Sequence, residues 1–144
     1  MILVDTGAFV ALFDKNDPYH VRCQQILKKR VEPLITTTPV LTEAFHLLSP
    51  NSQGANALRI FISAGGIKVW FFDTETLQTA FKLMEKYADR PMDFADASLV
   101  TAAQSLKTTR IFTVDRNDFT IYRVQIGYEL KTFEIEGNHF HNEL

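Results

Sequence analysis

The sequence predicts an α/β fold, a three-layer α/β/α sandwich around a central parallel sheet of about four or five strands. Three observations lead there. Short, continuous apolar runs recur along the chain, the pattern of strands buried on both faces. Segments with apolar residues at helical spacing separate them, so strand and helix alternate. Carboxylates follow the strands or open the helices, where open parallel sheets build their ligand sites.

The elements follow in order. Ile2-Leu3-Val4 is the first strand, and Gly7 to Phe13 is helical, with Phe9, Leu12 and Phe13 at i, i+3, i+4. Asp17-Pro18 reads as a cap with proline at the first helical position. The helix after it turns Val21, Ile26 and Leu27 inward and ends on Lys28-Lys29-Arg30, cations that suit a helix C-terminus. Pro33 to Thr36 is the second strand. Thr38-Pro39 opens a helix as N-cap and N1, carrying Val40, Leu41, Phe45 and Leu48 and breaking at Ser49-Pro50. Asn56 to Ala64 is helical and stops at Gly65-Gly66. Ile67 to Phe72 is the third strand, and Asp73 or Thr74 caps a helix through Tyr87. Asp93 caps another to about Leu106, its apolar face set by Leu99, Ala102, Ala103 and Leu106. Arg110 to Val114 is the fourth strand and Lys131 to Ile135 a fifth. The expected organisation is one domain over residues 1–135 with a polar, mobile tail over 136–144.

Composition excludes several classes. No apolar run reaches the ~18–20 residues that cross a bilayer, and the N-terminus lacks the parts of a signal peptide. Cys23 is the sole cysteine, so an internal disulfide is impossible and a reducing cytoplasm fits. The Asp-Thr-Gly at residues 5–7 also opens the catalytic loop of retroviral-type aspartic proteases, but that fold is nearly all β, and here a helix follows at once.

The chemistry lies in the carboxylates. Asp5 follows the first strand and Asp115 the fourth, Asp93 and Asp96 share the first turn of a helix, and Glu43 lies about one turn into another. Singly, each has an ordinary explanation. Asp93 caps its helix and Asp96 complements the helix dipole, Glu43 is a solvated helix residue, and Asp115 caps a turn. Jointly they are harder to dismiss. Two carboxylates ~4 Å apart repel by about 4 kcal/mol at an effective dielectric of 20. A cluster therefore needs a cation or raised pKa values, and a hard, oxygen-preferring Mg²⁺ or Mn²⁺ suits the ligand type. The histidines show no zinc-site spacing.

The stretches ILVDTGAFVAL, TPVLTEAFHLL, PMDFADASLVTAA and IFTVDRNDF span Ile2 to Phe119. Together, in this order and on these elements, they resemble the PIN-domain ribonucleases of the VapC-toxin type. That resemblance implies a metal-dependent endoribonuclease using one or two Mg²⁺ or Mn²⁺ ions. It makes Asp5, Glu43, Asp96 and Asp115 the acidic quartet, with Asp93 an extra carboxylate and Thr6 and Thr113 the small hydroxyls beside the acids. Asp5 and Asp96 are expected to bind the principal metal and Asp115 and Glu43 to complete the site. It also implies an RNA substrate, a homodimer and a protein antitoxin that lies across a groove and directs an arginine at the acids.

The net charge of −2 alone speaks against nucleic acid, yet without the quartet it becomes +2. Arg90, Lys107 and Arg116 flank the acidic stretches, and Arg116, next to Asp115, is the favoured phosphate contact. Phe71, Phe72, Phe112 and Phe133 are expected in the core. Phe94 and Phe119 are candidates for base stacking, with packing the commoner fate. Phe9, Phe13, Phe45 and Phe61 are candidates for a groove or dimer face. Two rival functions share parts of this pattern. A catalytically silent RNA-binding or regulatory module keeps the fold but need not keep all four acids. A phosphoryl receiver needs an acidic pair after the first strand, and Asp5 has no acidic neighbour. His139 and His141 have no assigned role.

Overall fold

The computed structural model describes residues 1–136. Five parallel strands form its sheet: β1 (Ile2–Val4), β2 (Leu34–Thr37), β3 (Lys68–Trp70), β4 (Arg110–Phe112) and, after a two-stranded hairpin, a last strand at Glu134–Glu136. The hairpin is β5 (Arg123–Ile126) and β6 (Glu129–Thr132), antiparallel, turning at Gly127, so the last sheet strand is β7. Sheet order is β3-β2-β1-β4-β7. The first strand therefore lies at the centre, with Leu3 paired to Ile35 on one side and Ile111 on the other. All three residues of β1 are buried, as its apolar run requires.

The flanking helices are α1 (Thr6–Phe13), α2 (His20–Lys29), α3 (Thr38–Leu48), α4 (Gln53–Ser63), α5 (Thr74–Lys86), α6 (Phe94–Leu106) and the single turn α7 (Arg116–Phe119). They complete the α/β/α sandwich. Leu3, Val4, Phe9, Leu58, Leu99, Val100, Ile111 and Phe112 form the heart of the core. Among the described residues, no helix is long and apolar enough to cross a membrane.

Several local expectations change. Residues 131 and 132 belong to β6, and the fifth sheet strand is β7, which takes in Glu136, a residue expected in the tail. The rest of the tail, with His139 and His141, lies outside the described residues. Thr37 rather than Thr38 caps α3, its hydroxyl accepting from the Val40 N–H. Asp17 closes the turn before α2 instead of capping it. Helix α2 buries Cys23 with Ile26 and Leu27 beside it, positions i, i+3 and i+4, whereas Val21, two residues from Cys23, is 64% exposed. Phe71 is 67% exposed, since Trp70 and Phe72 pack edge to face and the residue between them leaves on the other side. Phe9 is fully buried and therefore lines no groove, while Phe13 and Phe61 meet at 5.7 Å.

Candidate active site

The parallel sheet directs the carboxyl ends of β1, β2 and β4 to one edge, where the segments that follow them and the start of α6 carry the acids. Asp5 is both the residue after β1 and the N-cap of α1. It is 6% exposed. Its backbone N–H donates to Phe112 O at 3.0 Å, fixing it against β4. Thr6 N–H donates to Asp5 Oδ1 at 2.7 Å and the Thr113 hydroxyl donates to Oδ2 at 2.8 Å. Thr113 also accepts from Asp115 N–H at 2.9 Å. One buried hydroxyl thus sets the positions of two acids.

Helix α6 brings in the second pair. Asp93 is its N-cap, accepting from Asp96 N–H at 2.8 Å, the capping role foreseen for it. Asp96 faces the cleft, and Tyr122 donates its phenol hydrogen to Asp96 Oδ2 at 2.9 Å. A buried hydroxyl contact holds α6 to β2: Thr37 Oγ1 lies 2.6 Å from Ser98 Oγ, which donates to Ala95 O. Because Thr37 also caps α3, the acids of α3 and α6 are set by one contact. Glu43 of α3 reaches Thr6, whose hydroxyl donates to Glu43 Oε1 at 3.4 Å.

Asp5, Thr6, Gly7, Glu43, Asp93, Asp96, Asp115 and Asp118 line one cleft of about 250 Å³. The structure therefore brings together all five acids expected from the sequence and adds Asp118. The sequence signal for Asp118 was present, because Asp115 and Asp118 lie i, i+3 across α7. Arg116, next to Asp115, lines a neighbouring depression with Thr120 and residues 133–136. Lys107 ends α6 at the opposite end from the acids, about 20 Å away along 13 residues at 1.5 Å each, and cannot guide a phosphate into the cleft. Arg90 acts on Asp118, drawing its carboxyl down against the other influences. Phe119 is fully buried and is unavailable for stacking, whereas Phe94 is 37% exposed and stacks on Phe72.

The electrostatics are those of crowded acids. Burial raises the Asp5 carboxyl to about 6; the Thr113 and Thr6 hydrogen bonds oppose this, and the charges of Asp115 and Asp93 add to it. Burial, then the charges of Asp5 and Asp93, lift Asp96 to about 8 against the pull of Tyr122. Glu43 is raised by burial and by Asp93. Asp118 is raised by burial and by Asp115, with which it shares a hydrogen bond that requires a proton on one partner. Burial and the Asp96 charge push the Tyr122 phenol far above its usual range, so it remains a donor. Such a donor set, all hard oxygens, fits a divalent cation. Among the described residues, no three acids already stand close enough to enclose one ion, so side-chain adjustment or bridging water is needed for full ligation.

Three comparisons bear on this site. The family model described as "PIN domain" matches residues 2–125. Ribonuclease VapC26 of Mycobacterium tuberculosis is 24% identical over 124 residues, covering 85% of this chain and 92% of the relative. Among solved structures, the sarcin–ricin-loop-cleaving toxin VapC20 of Mycobacterium tuberculosis superposes with a TM-score of 0.74 at 18% identity, covering 81% of this chain and 92% of that one. A toxin–antitoxin complex from Klebsiella pneumoniae gives a TM-score of 0.65 at 16% identity, covering 83% and 90%. VapBC2 of Rickettsia felis, bound to a promoter DNA fragment, gives 0.61 at 17% identity, covering 94% and 99%.

Proposed function

This chain belongs to the PIN-domain family, and on that premise we propose that it is a Mg²⁺- or Mn²⁺-dependent endoribonuclease, the toxin of a toxin–antitoxin pair. The observation that carries the reading is the convergence of six carboxylates, one of them nearly inaccessible, on a single cleft at the carboxyl ends of a parallel sheet. Supporting it, a relative over most of the chain is a ribonuclease, and similar folds include a toxin and toxin–antitoxin complexes.

Asp5 and Asp96 would hold the principal ion, with Glu43, Asp93, Asp115 and Asp118 completing the shell directly or through water. A bound divalent ion supplies a water of lowered pKa and a polarised phosphate. The chain's own residues set the geometry. Thr113 and the Thr6 N–H keep the Asp5 carboxylate in a single orientation, and the Asp93 cap fixes the first turn of α6 beneath Asp96. Asp5 and Asp96 must both lose protons before they ligate, so burial makes the apo site reluctant to ionise until a cation arrives.

RNA is the substrate and a small antitoxin the partner, in a cytoplasmic setting where both occur. A homodimer belongs to the same reading. A cleft of about 510 Å³ lined by Phe13, His20, Leu47, Leu48 and Gly54 among others supports a seat for the antitoxin. The alternative, a catalytically silent RNA-binding module, is favoured only by the lack, among the described residues, of three acids already set to enclose one ion.

Purified protein incubated with a tRNA pool separates the two. Cleavage is expected with Mn²⁺ or Mg²⁺ and is lost both with EDTA and in Asp96→Asn. Equal cutting by that variant would refute the site. RNA binding with neither metal binding nor cleavage would establish the silent module instead.

A further inference from the structure

We propose that Tyr122 is a positioning residue for Asp96, turning that carboxylate so that a single oxygen, Oδ1, faces the cleft. The inference rests on the metal-dependent reading above and concerns a residue outside the acidic motifs.

The geometry singles Tyr122 out. It is 1% exposed and among the largest fully buried side chains. Its ring is wedged edge to face between Tyr87 at 5.1 Å and Phe119 at 5.3 Å, and Phe119 is braced in turn by Phe133 at 5.5 Å. The Tyr122 backbone N–H donates to Asp118 O at 3.1 Å, and the next residue, Arg123, donates its N–H to the Tyr87 hydroxyl at 3.0 Å. A ring so held has one place for its hydroxyl, and that hydroxyl meets Asp96 Oδ2 at 2.9 Å. The phenol therefore ties the rotamer of a cleft acid to the rigid aromatic cluster beneath the hairpin.

The consequence is chemical. Asp96 has Oδ2 engaged by Tyr122. With one oxygen of Asp96 committed to a donor, bidentate ligation is disfavoured and single-oxygen ligation favoured. That arrangement suits small octahedral ions such as Mg²⁺, which keep several waters, better than Ca²⁺, which takes more oxygens and accepts carboxylates through both. Partners that orient a ligating side chain are typically worth 10–100-fold in metal affinity.

A simpler role exists. A buried phenol needs an acceptor, and Asp96 supplies one whether or not its own orientation depends on the contact. Tyr122→Phe distinguishes the two, because it keeps the ring packing and removes only the hydroxyl. Mn²⁺ and Ca²⁺ affinities would be measured by calorimetry on full-length wild type and variant, beside metal-free thermal melts and single-turnover cleavage. Positioning predicts Mn²⁺ affinity weakened about 10–100-fold, a smaller Mn²⁺-over-Ca²⁺ preference, a lower kcat with little change in KM for RNA, and a metal-free melting temperature close to wild type. In an Asp96→Asn background, Tyr122→Phe should add no further loss of Mn²⁺ affinity, since it acts through that carboxylate. Unchanged Mn²⁺ affinity in Tyr122→Phe, or a variant that loses its fold, would overturn the proposal and leave a packing role. Wild type that binds no Mn²⁺ would overturn the metal reading and this proposal with it, an outcome separable from failure of the variant alone.

Discussion

Removing metal should make this protein lose stability as the pH rises, and Asp5 allows the effect to be sized. Its carboxyl stands near 3.8 when unperturbed and at about 6 in the fold. Across that window the folded state binds more protons than the unfolded state, so stability falls with rising pH. The contribution is fully present below about pH 4, is lost as the pH passes through about 6, and is gone above that. Roughly two pK units at 1.36 kcal/mol each give about 3 kcal/mol, on the order of 10 °C in melting temperature for a chain of this size. Asp96, lifted to about 8, acts in the same direction and extends the window upward; the two acids repel each other, so their effects do not add simply. The assay is urea unfolding of EDTA-treated protein between pH 4 and 8, wild type against Asp5→Asn. The variant loses an acceptor, an offset of about 1 kcal/mol that does not vary with pH. The wild type should fall relative to the variant by about 3 kcal/mol as the pH rises. A difference that stays flat, or a wild type that gains on the variant, would show that Asp5 is not a buried acid forced to ionise.

Three further outcomes follow from the same geometry. Thr113→Val removes the hydroxyl shared by Asp5 and Asp115; cleavage should fall about 10–100-fold with a stability cost of about 1–3 kcal/mol, read by kinetics and urea melts. Asp93→Ala should cost about 1 kcal/mol for the lost cap, whereas Asp93→Asn should keep the cap; a drop in Mn²⁺ affinity shared by both variants would assign Asp93 to the ion as well as to the helix. Gly7→Ala places a Cβ 2.7 Å from Val114 Cγ2, so it should destabilise by about 1–3 kcal/mol through overpacking beside Asp5, and a thermal melt at or above wild type would contradict that.

Local signals carried the sheet and most helices into view. Ile2-Leu3-Val4 is apolar throughout because its strand is central, and Asp73 and Asp93 cap their helices where an acid precedes a helical pattern. Spacing also indicated where the acids would gather, since residues after parallel strands share one edge. What stayed hidden depends on tertiary partners. Tyr122 is an ordinary aromatic in sequence, and its significance appears only when the chain folds its phenol onto Asp96, 26 residues away. The β5–β6 hairpin is short and largely exposed on β6, so no alternation of buried residues announced it. Apolar character alone points Val21 inward, although the face of α2 is set by Cys23, Ile26 and Leu27. Asp118 reads in the sequence as a competitor to Asp115 for one ligand position, whereas the fold sets both in the cleft.

The place of β1 in the sheet also sets the order in which the cleft can be assembled. Asp5 precedes every other acid of the cleft along the chain, yet its strand is flanked by β2 on one side and by β4 on the other. The hydroxyl that orients Asp5 comes from Thr113, 108 residues later. Closing so long a loop comes late in folding. A partly made chain therefore holds the first acid but neither the strand nor the hydroxyl that orients it. The six carboxylates therefore gather into one cleft only after the strands on both sides of β1 have docked.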